Sequence, residues 1–194
     1  MPTNNTTNIL VAGVGGQGVI LASDIMADTF LKAGYDVKKS EVHGMAQRGG
    51  SVSSHVRYGE KVYSPIIKMG ELDYLFMLEK LETLRWLPYC KPDTVFLVDG
   101  IRINPPAVNL GDMEYPEDVD ETLRENFKNV HFIKATDIAR ELGNARAANV
   151  VLLGSLAKLL DIDSSMWLEC IKERLPERLH ELNEKAFTQG MEAL

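Results

Sequence analysis

The sequence predicts an α/β fold with a mixed, mostly parallel sheet covered by helices on both faces, and three observations carry that expectation. Residues 9–12 are a short apolar run that passes directly into Gly13-Val14-Gly15-Gly16-Gln17-Gly18 and then into apolar residues at helical spacing. Strand, glycine turn and helix in that order open a βαβ unit. Further apolar runs at 72–78 and 94–98 alternate with helical segments, the pattern of parallel strands joined by crossovers. Residues 51–58 alternate in polarity instead, which marks a strand with two different faces. The class implied is a Rossmann-like three-layer sandwich with an inserted β-hairpin and C-terminal helices, built as one unit over residues 1–194.

Residues 1–7 are polar, carry no apolar signal core and read as a flexible tail. In the turn, Gly13 allows a tight bend where a Cβ would clash, and Gly15 and Gly16 let backbone N–H groups approach a ligand or a neighbouring chain. Gly18 lets the helix pack close on the strand it has just left. The first helix, 19–34, places Ile20, Leu21, Ile25, Phe30 and Leu31 near helical spacing and ends at Gly34, a C-cap residue. Residues 35–42 form the second strand, with Lys38, Lys39 and Glu41 marking a wet face. The next eight residues, His43-Gly44-Met45-Ala46-Gln47-Arg48-Gly49-Gly50, hold three glycines and form a shaped loop. In the strand that follows, Val52, Ser54, Val56 and Tyr58 face one way, and Ser53, His55 and Arg57 the other. A turn at 58–61 and a return strand at 62–64 complete the expected hairpin, which implies an antiparallel edge.

Residues 72–78 are a buried strand, 80–90 a helix that Pro92 stops, and 94–98 a strand ending at Asp99-Gly100. Pro105, Pro106 and Pro116 make 101–117 a loop or an edge strand. Residues 119–127 are polar and irregular, and 130–134 form a short strand leading into a helical segment at 137–142. The longest apolar helix is 144–160; its Ala147, Ala148, Gly154, Ser155 and Ala157 permit close packing on the sheet or on a second subunit. Ser164 and Ser165 offer an N-cap to 166–174, Pro176 breaks the chain, and 178–191 is a last amphipathic helix.

Composition narrows the function. Hydrophobic residues make up 45% and charged residues 25%, as in an ordinary soluble protein. A net charge of −7, from 28 acidic and 21 basic residues, argues against binding nucleic acid or an anionic membrane. No apolar run reaches membrane-spanning length. Cys90 and Cys170 are far apart and have no CxxC neighbours, too few for a cubane cluster and no disulfide framework, so a reducing cytoplasm is the expected compartment. No metal site is expected either. His43 and His55 flank the glycine loop without a third ligand at suitable spacing, and read as a loop anchor and a strand-surface residue.

The first turn of the helix after Gly18 has unpaired N–H groups and can hold an anion. The G-x-G-x-x-G pattern leaves two readings open: a dinucleotide site, or a turn that builds the fold or meets a partner. Glu41 stands where an acid could hold a ribose, and equally reads as a structural or solvated carboxylate. Arg48, between Gln47 and Gly49-Gly50, could grip a phosphate or carboxylate in fork geometry. It could also be a plain exposed arginine, or one tying its loop to the first glycine turn.

Gly13-Val14-Gly15-Gly16-Gln17-Gly18, followed by Glu41-Val42-His43-Gly44-Met45-Ala46-Gln47-Arg48-Gly49-Gly50-Ser51-Val52, resembles the gamma-type domain of 2-oxoacid:ferredoxin oxidoreductases. The second stretch is the more specific and is most similar to the indolepyruvate ferredoxin oxidoreductase beta subunit. The resemblance is strongest over residues 8–100 and implies a heteromeric enzyme. Such an enzyme decarboxylates an aryl 2-oxoacid on thiamine diphosphate, passes electrons through iron–sulfur clusters to ferredoxin, and transfers the acyl group to coenzyme A. Asp99-Gly100 and Gly111-Asp112-Met113 are only near misses to a thiamine diphosphate signature. The division of labour implied is therefore that this chain alone binds no cofactor and an alpha subunit carries both thiamine diphosphate and the clusters. Coenzyme A is the co-substrate, ferredoxin is met through the complex, and the isolated chain can form a homodimer. The resemblance also implies that Arg48 and Gln47 close the active site or meet coenzyme A. Gly13, Gly15, Gly16, Gln17, Gly18, Gly44, Gly49 and Gly50 would supply the backbone around them. The competing expectations are a free-standing NAD- or FAD-binding module and a purely structural assembly subunit.

Overall fold

Successive side chains of one strand enter different cores. In a computed structural model, which describes residues 6–43 and 50–194, strand β1 (Thr7–Val14) sends Ile9 and Val11 into one apolar cluster and Leu10 and Ala12 into another. All four side chains are fully buried, as the centre of a sheet covered on both faces requires. The remaining strands are β2 (Asp36–His43), β3 (Ser51–Gly59), β4 (Leu72–Met77), β5 (Cys90–Asp99) and β6 (Asn129–Ile133), in the spatial order β2-β3-β1-β4-β5-β6. Strands β4, β5 and β6 run parallel to β1; β3 is antiparallel to both β1 and β2.

The helices are α1 (Val19–Lys32), α2 (Glu82–Trp86), α3 (Pro106–Asn109), α4 (Val119–Asn126), α5 (Ala135–Glu141), α6 (Ala148–Leu159), α7 (Ser164–Arg174) and α8 (His180–Glu192). Residues of α1, α5, α6, α7 and α8 share the core of Ile9 and Val11, whereas α2 and α4 cover the face of Leu10 and Ala12. Three layers result, as the sequence implied. The small-residue stripe of α6 meets α8, where Ser155 Oγ donates to the Gly190 carbonyl at 2.8 Å.

Four expectations need correction. The hairpin is β2–β3, closed through the glycine loop, not β3 with a return strand at 62–64. Residues 62–67 form no strand because side chains take their polar groups: the Val62 N–H donates to Asp36 Oδ2 at 2.9 Å, and Arg57 Nη1 donates to the Ser64 and Ile66 carbonyls at 2.9 and 3.1 Å. The antiparallel strand is consequently interior, and the edges of the sheet are β2 and β6. The helix expected at 80–90 shrinks to α2 and a 3-10 turn around Pro88, and β5 begins at Cys90. Pro92 fits inside β5 because the β4–β5 register shifts beside it. Finally, the segment expected to be irregular at 119–127 is the helix α4, held by the buried pair Val119 and Leu123, one turn apart.

Several boundaries move by a few residues. Thr7, expected in the tail, opens β1 opposite Tyr58. The N-cap of α7 is Asp163, which accepts from the Ser165 N–H at 2.8 Å, instead of Ser164 or Ser165.

Candidate functional site

The first glycine turn lies at the carboxyl ends of the parallel strands, beside Gly50. Gly16 and Gly18 adopt φ of 102° and 82°, a region that favours glycine, and this lets the chain leave β1 and enter α1 within four residues. The N-terminus of α1 has no side-chain cap and no acid in its first turn, so its first-turn N–H groups have no side-chain acceptor there. Behind it, Asn149 of α6 is buried and donates to the Gly18 carbonyl at 3.2 Å. A Cβ on Gly18 would lie 2.4 Å from Asn149 Nδ2, so the glycine permits contact with α6 and not only with the strand.

Gln17 faces inward. Its Oε1 accepts from the Val14 N–H at 2.7 Å and its Nε2 donates to the Leu78 carbonyl at 2.5 Å. The amide thus ties the turn to the end of β4, and it occupies the space that a Cβ on Gly13 would need. Its side chain shapes the turn and lines a recess beside it.

The two glycine stretches meet. The Gly15 N–H donates to the Gly50 carbonyl at 2.9 Å, and Val14 pairs with Ser51. Gly44, Gln47, Arg48 and Gly49 lie outside the described residues. The residues that bracket them, His43 at the end of β2 and Gly50, stand at the same end of the sheet as the turn.

Adjoining recesses line this end. One of about 370 Å³ is bounded by Gly15, Gly16, Val19, Ile20 and Val52. A second, of about 190 Å³, shares Gly16 with it and is bounded by Gln17, Leu78, Ile101, Ile103, Arg140 and Arg146. A third, of about 410 Å³, shares Ile101 and Thr136 with the second and reaches Asp99, Lys134 and Arg124. Together they form a groove across the ends of β1, β4, β5 and β6, where the crossovers from β1 diverge. Arg140 pairs with Asp137 at 3.1 Å at the surface. Among the described residues neither Arg146 nor Arg124, which lies over the Phe132 ring, has an acidic partner, which leaves their guanidinium groups available at the groove. Asp99 is buried; desolvation raises its carboxyl above the usual range, opposed by hydrogen bonds from the Thr136 hydroxyl and N–H.

Other candidates fall elsewhere. Glu41 is ion-paired with Lys39, which also holds Asp24 of α1, so the structural reading applies. His55 is buried, not on the strand surface: its Nδ1 accepts from the Ile67 N–H at 3.2 Å, and Trp86 and Tyr89 pack edgewise on the ring. Cys90 belongs to the core on one face of the sheet and Cys170 to the core on the other, so they cannot share a cluster. Among the described residues no group of three or more His, Cys, Asp and Glu could hold a metal ion, and no helix is long and apolar enough to cross a membrane.

Sequence reading missed Arg140, Arg146, Asn149 and Thr136. They lie more than a hundred residues from the glycine turn and carry no local motif. Only the topology brings them to it.

Comparison with known proteins follows the same geometry. Residues 8–193 match the family described as pyruvate ferredoxin/flavodoxin oxidoreductase. The chain is 36% identical over 192 residues to indolepyruvate oxidoreductase subunit IorB of Pyrococcus horikoshii, covering 96% of this chain and 95% of the relative. It superposes on the gamma subunit of a keto/oxoacid ferredoxin oxidoreductase from Geobacter sulfurreducens with a TM-score of 0.72 at 26% identity, over 97% and 96% of the two chains. It also superposes, with a TM-score of 0.75 at 25% identity, on 2-oxoglutarate:ferredoxin oxidoreductase from Magnetococcus marinus, a structure with 2-oxoglutarate, coenzyme A and succinyl-CoA bound. That match covers 97% of this chain and 31% of the other.

Proposed function

This chain belongs to the pyruvate ferredoxin/flavodoxin oxidoreductase family, and on that premise we propose that it turns the carboxyl-end groove of its sheet toward a catalytic partner subunit. The chain is a subunit of a ferredoxin-dependent oxoacid oxidoreductase, and the free-standing nucleotide-binding module is set aside. The enzyme we infer converts an aryl 2-oxoacid, indolepyruvate foremost, to an acyl-CoA, with ferredoxin taking the electrons through the complex. Iron–sulfur clusters do not fit the cysteines of this chain, which lie in different cores, and thiamine diphosphate belongs with the clusters in the reading we propose. We assign both to the partner, and the compartment to a reducing cytoplasm in which Cys90 and Cys170 stay free.

The observation that supports the reading is the 2.9 Å bond from the Gly15 N–H to the Gly50 carbonyl. It brings Gly50, the last residue of the second glycine stretch, onto the first glycine turn, at the end of the sheet where α/β proteins bind ligands. The loop bearing Gln47 and Arg48 starts and ends there. Arg146 adds a cation without an acidic partner among the described residues, and the first turn of α1, without a side-chain cap, adds backbone donors. Anionic phosphates suit such a lining, and coenzyme A supplies them.

The test is reconstitution with the partner subunit and assay with indolepyruvate, phenylpyruvate and pyruvate, with and without coenzyme A. Arg48→Ala and Arg146→Ala should each raise the KM for coenzyme A about tenfold, the effect of one lost charge-assisted contact. Unchanged turnover and unchanged coenzyme A dependence in both variants would discard the assigned roles. Decarboxylation of a keto acid by the isolated chain would overturn the division of labour.

A further inference from the structure

Glu79 is a buried carboxylate, 1% exposed, that stands two residues past the end of β4. Among the described residues no cation pairs with it. Its charge is met by donors from three separate segments. Oε2 accepts from the Glu82 N–H at 2.9 Å, while Oε1 accepts from the Ile103 N–H at 3.1 Å and from the Tyr115 hydroxyl at 2.9 Å. Tyr115 is itself buried, with the Arg102 guanidinium 4.0 Å above its ring. Burial and the adjacent Glu79 charge hold its phenol well above the ordinary range, so it stays a donor. A buried carboxylate without a cation is costly and persists only where its oxygens are fully engaged.

We propose that Glu79 is a positioning residue that fastens the segment after β5 across the end of β4, and so sets the wall of the groove opposite the glycine turn. The wall consists of Ile101 and Ile103, which face Gly16, Gln17 and Arg146 across the 190 Å³ recess. The fastening is continuous with the turn. Gln17 holds the Leu78 carbonyl, the Leu78 N–H donates to the Ala12 carbonyl at 2.9 Å, and Glu79 follows directly in the chain. Only one weak backbone contact otherwise joins the two segments, from the Lys80 N–H to the Ile101 carbonyl at 3.4 Å. Among the described residues, three prolines punctuate the loop from 101 to 117, and its only regular structure is the four-residue helix α3. Its internal bonds, such as those from Arg102 to Asn104 at 2.8 Å and to Glu117 at 2.6 Å, tie the loop to itself, whereas Glu79 ties it to the end of β4.

The proposal rests on the reading that the groove takes coenzyme A, and the experiment separates the two. In the reconstituted complex, amide exchange is followed at residues 13–18 and 101–115, together with KM values for coenzyme A and indolepyruvate. In the wild type, coenzyme A should slow exchange at the glycine turn; if it does not, the groove reading fails and the proposal falls with it. Where it does, Glu79→Ala should speed exchange of the Ile103 amide and raise the KM for coenzyme A, each by about tenfold, with the KM for indolepyruvate held within about twofold. Glu79→Gln, which keeps one acceptor, should recover part of both. Tyr115→Phe removes one donor, leaves the ring under Arg102, and keeps the test open should Glu79→Ala fold poorly. Unchanged exchange at Ile103 in these variants overturns the fastening. Faster exchange there with an unchanged KM for coenzyme A overturns the role in the groove.

Discussion

Glycine serves opposite ends in two regions of this molecule. At the carboxyl end of the sheet, Gly16 has a φ of 102°, and a Cβ there would meet nothing within 4 Å. Between α6 and α8, Gly154 has an ordinary helical backbone, and a Cβ there would lie 2.0 Å from the Phe187 carbonyl oxygen. Gly190 mirrors it, 1.9 Å from the Val151 carbonyl oxygen. One glycine keeps a surface open and the other lets two helices touch through their backbones. The first shapes a place where something else can bind, and the second fills space within the chain. The pair predicts that substitutions at the two sites will separate function from stability.

The largest effect is expected at the sealed site. Gly154→Ala forces α6 and α8 apart, because the obstructing atoms are backbone and cannot rotate away. A loss of about 3 kcal/mol or more is expected. For a chain of this size that lowers Tm by about 6–12 °C. Thermal unfolding followed by circular dichroism checks it, and a variant that melts with the wild type would show that the helices slide apart at little cost. Gly16→Ala should behave differently. It incurs only the strain of a left-handed backbone, about 1–2 kcal/mol. Its added methyl enters two recesses of the groove, so the KM for coenzyme A in the complex should rise more than stability falls. A Gly16→Ala protein that is strongly destabilised yet kinetically normal would invert the comparison.

The contrast also explains what the sequence could reveal. The turn at residues 13–18 was legible because strand, glycines and helix are adjacent in the chain, so local spacing alone describes them. The phase of β3 was legible for the same reason. Val52, Val56 and Tyr58 do pack with one core, while His55 faces the other side with Trp86 and Tyr89. The partner of β3 was not legible. Alternation at 51–58 suits any neighbouring strand, and β2 competes with residues 62–64 only through long-range contacts. Helix α4 was obscured because two buried residues are a thin apolar stripe. Within the site, the glycines were visible, whereas Arg146 and Glu79 acquire meaning only when separate segments converge on the ends of the strands.

The smallest effect belongs to the opposite, amino end of the sheet, where side chains and not glycines organise the chain. The strap at 62–67 is held by Asp36, by Arg57, and by His55, whose Nδ1 accepts the Ile67 N–H and must therefore be unprotonated. Burial, with help from the Arg57 charge, lowers the His55 pKa below its ordinary value of 6.5. Because the folded-state pKa is the lower one, the unfolded chain binds the extra proton first. The stabilisation is therefore complete above about pH 6.5 and declines as pH falls below it. Asp99 acts in the other direction: its pKa is raised, so protonation at lower pH relieves a cost of folding, and the wild-type profile mixes the two. His55→Gln isolates the histidine, since the amide oxygen can still accept from Ile67 and does not titrate. Denaturant unfolding between pH 7 and pH 5 should show the wild type losing more stability than the variant over that interval. Parallel losses in the two proteins would mean that the imidazole binds its proton equally well folded and unfolded, so that neither burial nor the Ile67 bond biases it. In that case the amino end would be as insensitive to protons as the helix pair α6 and α8.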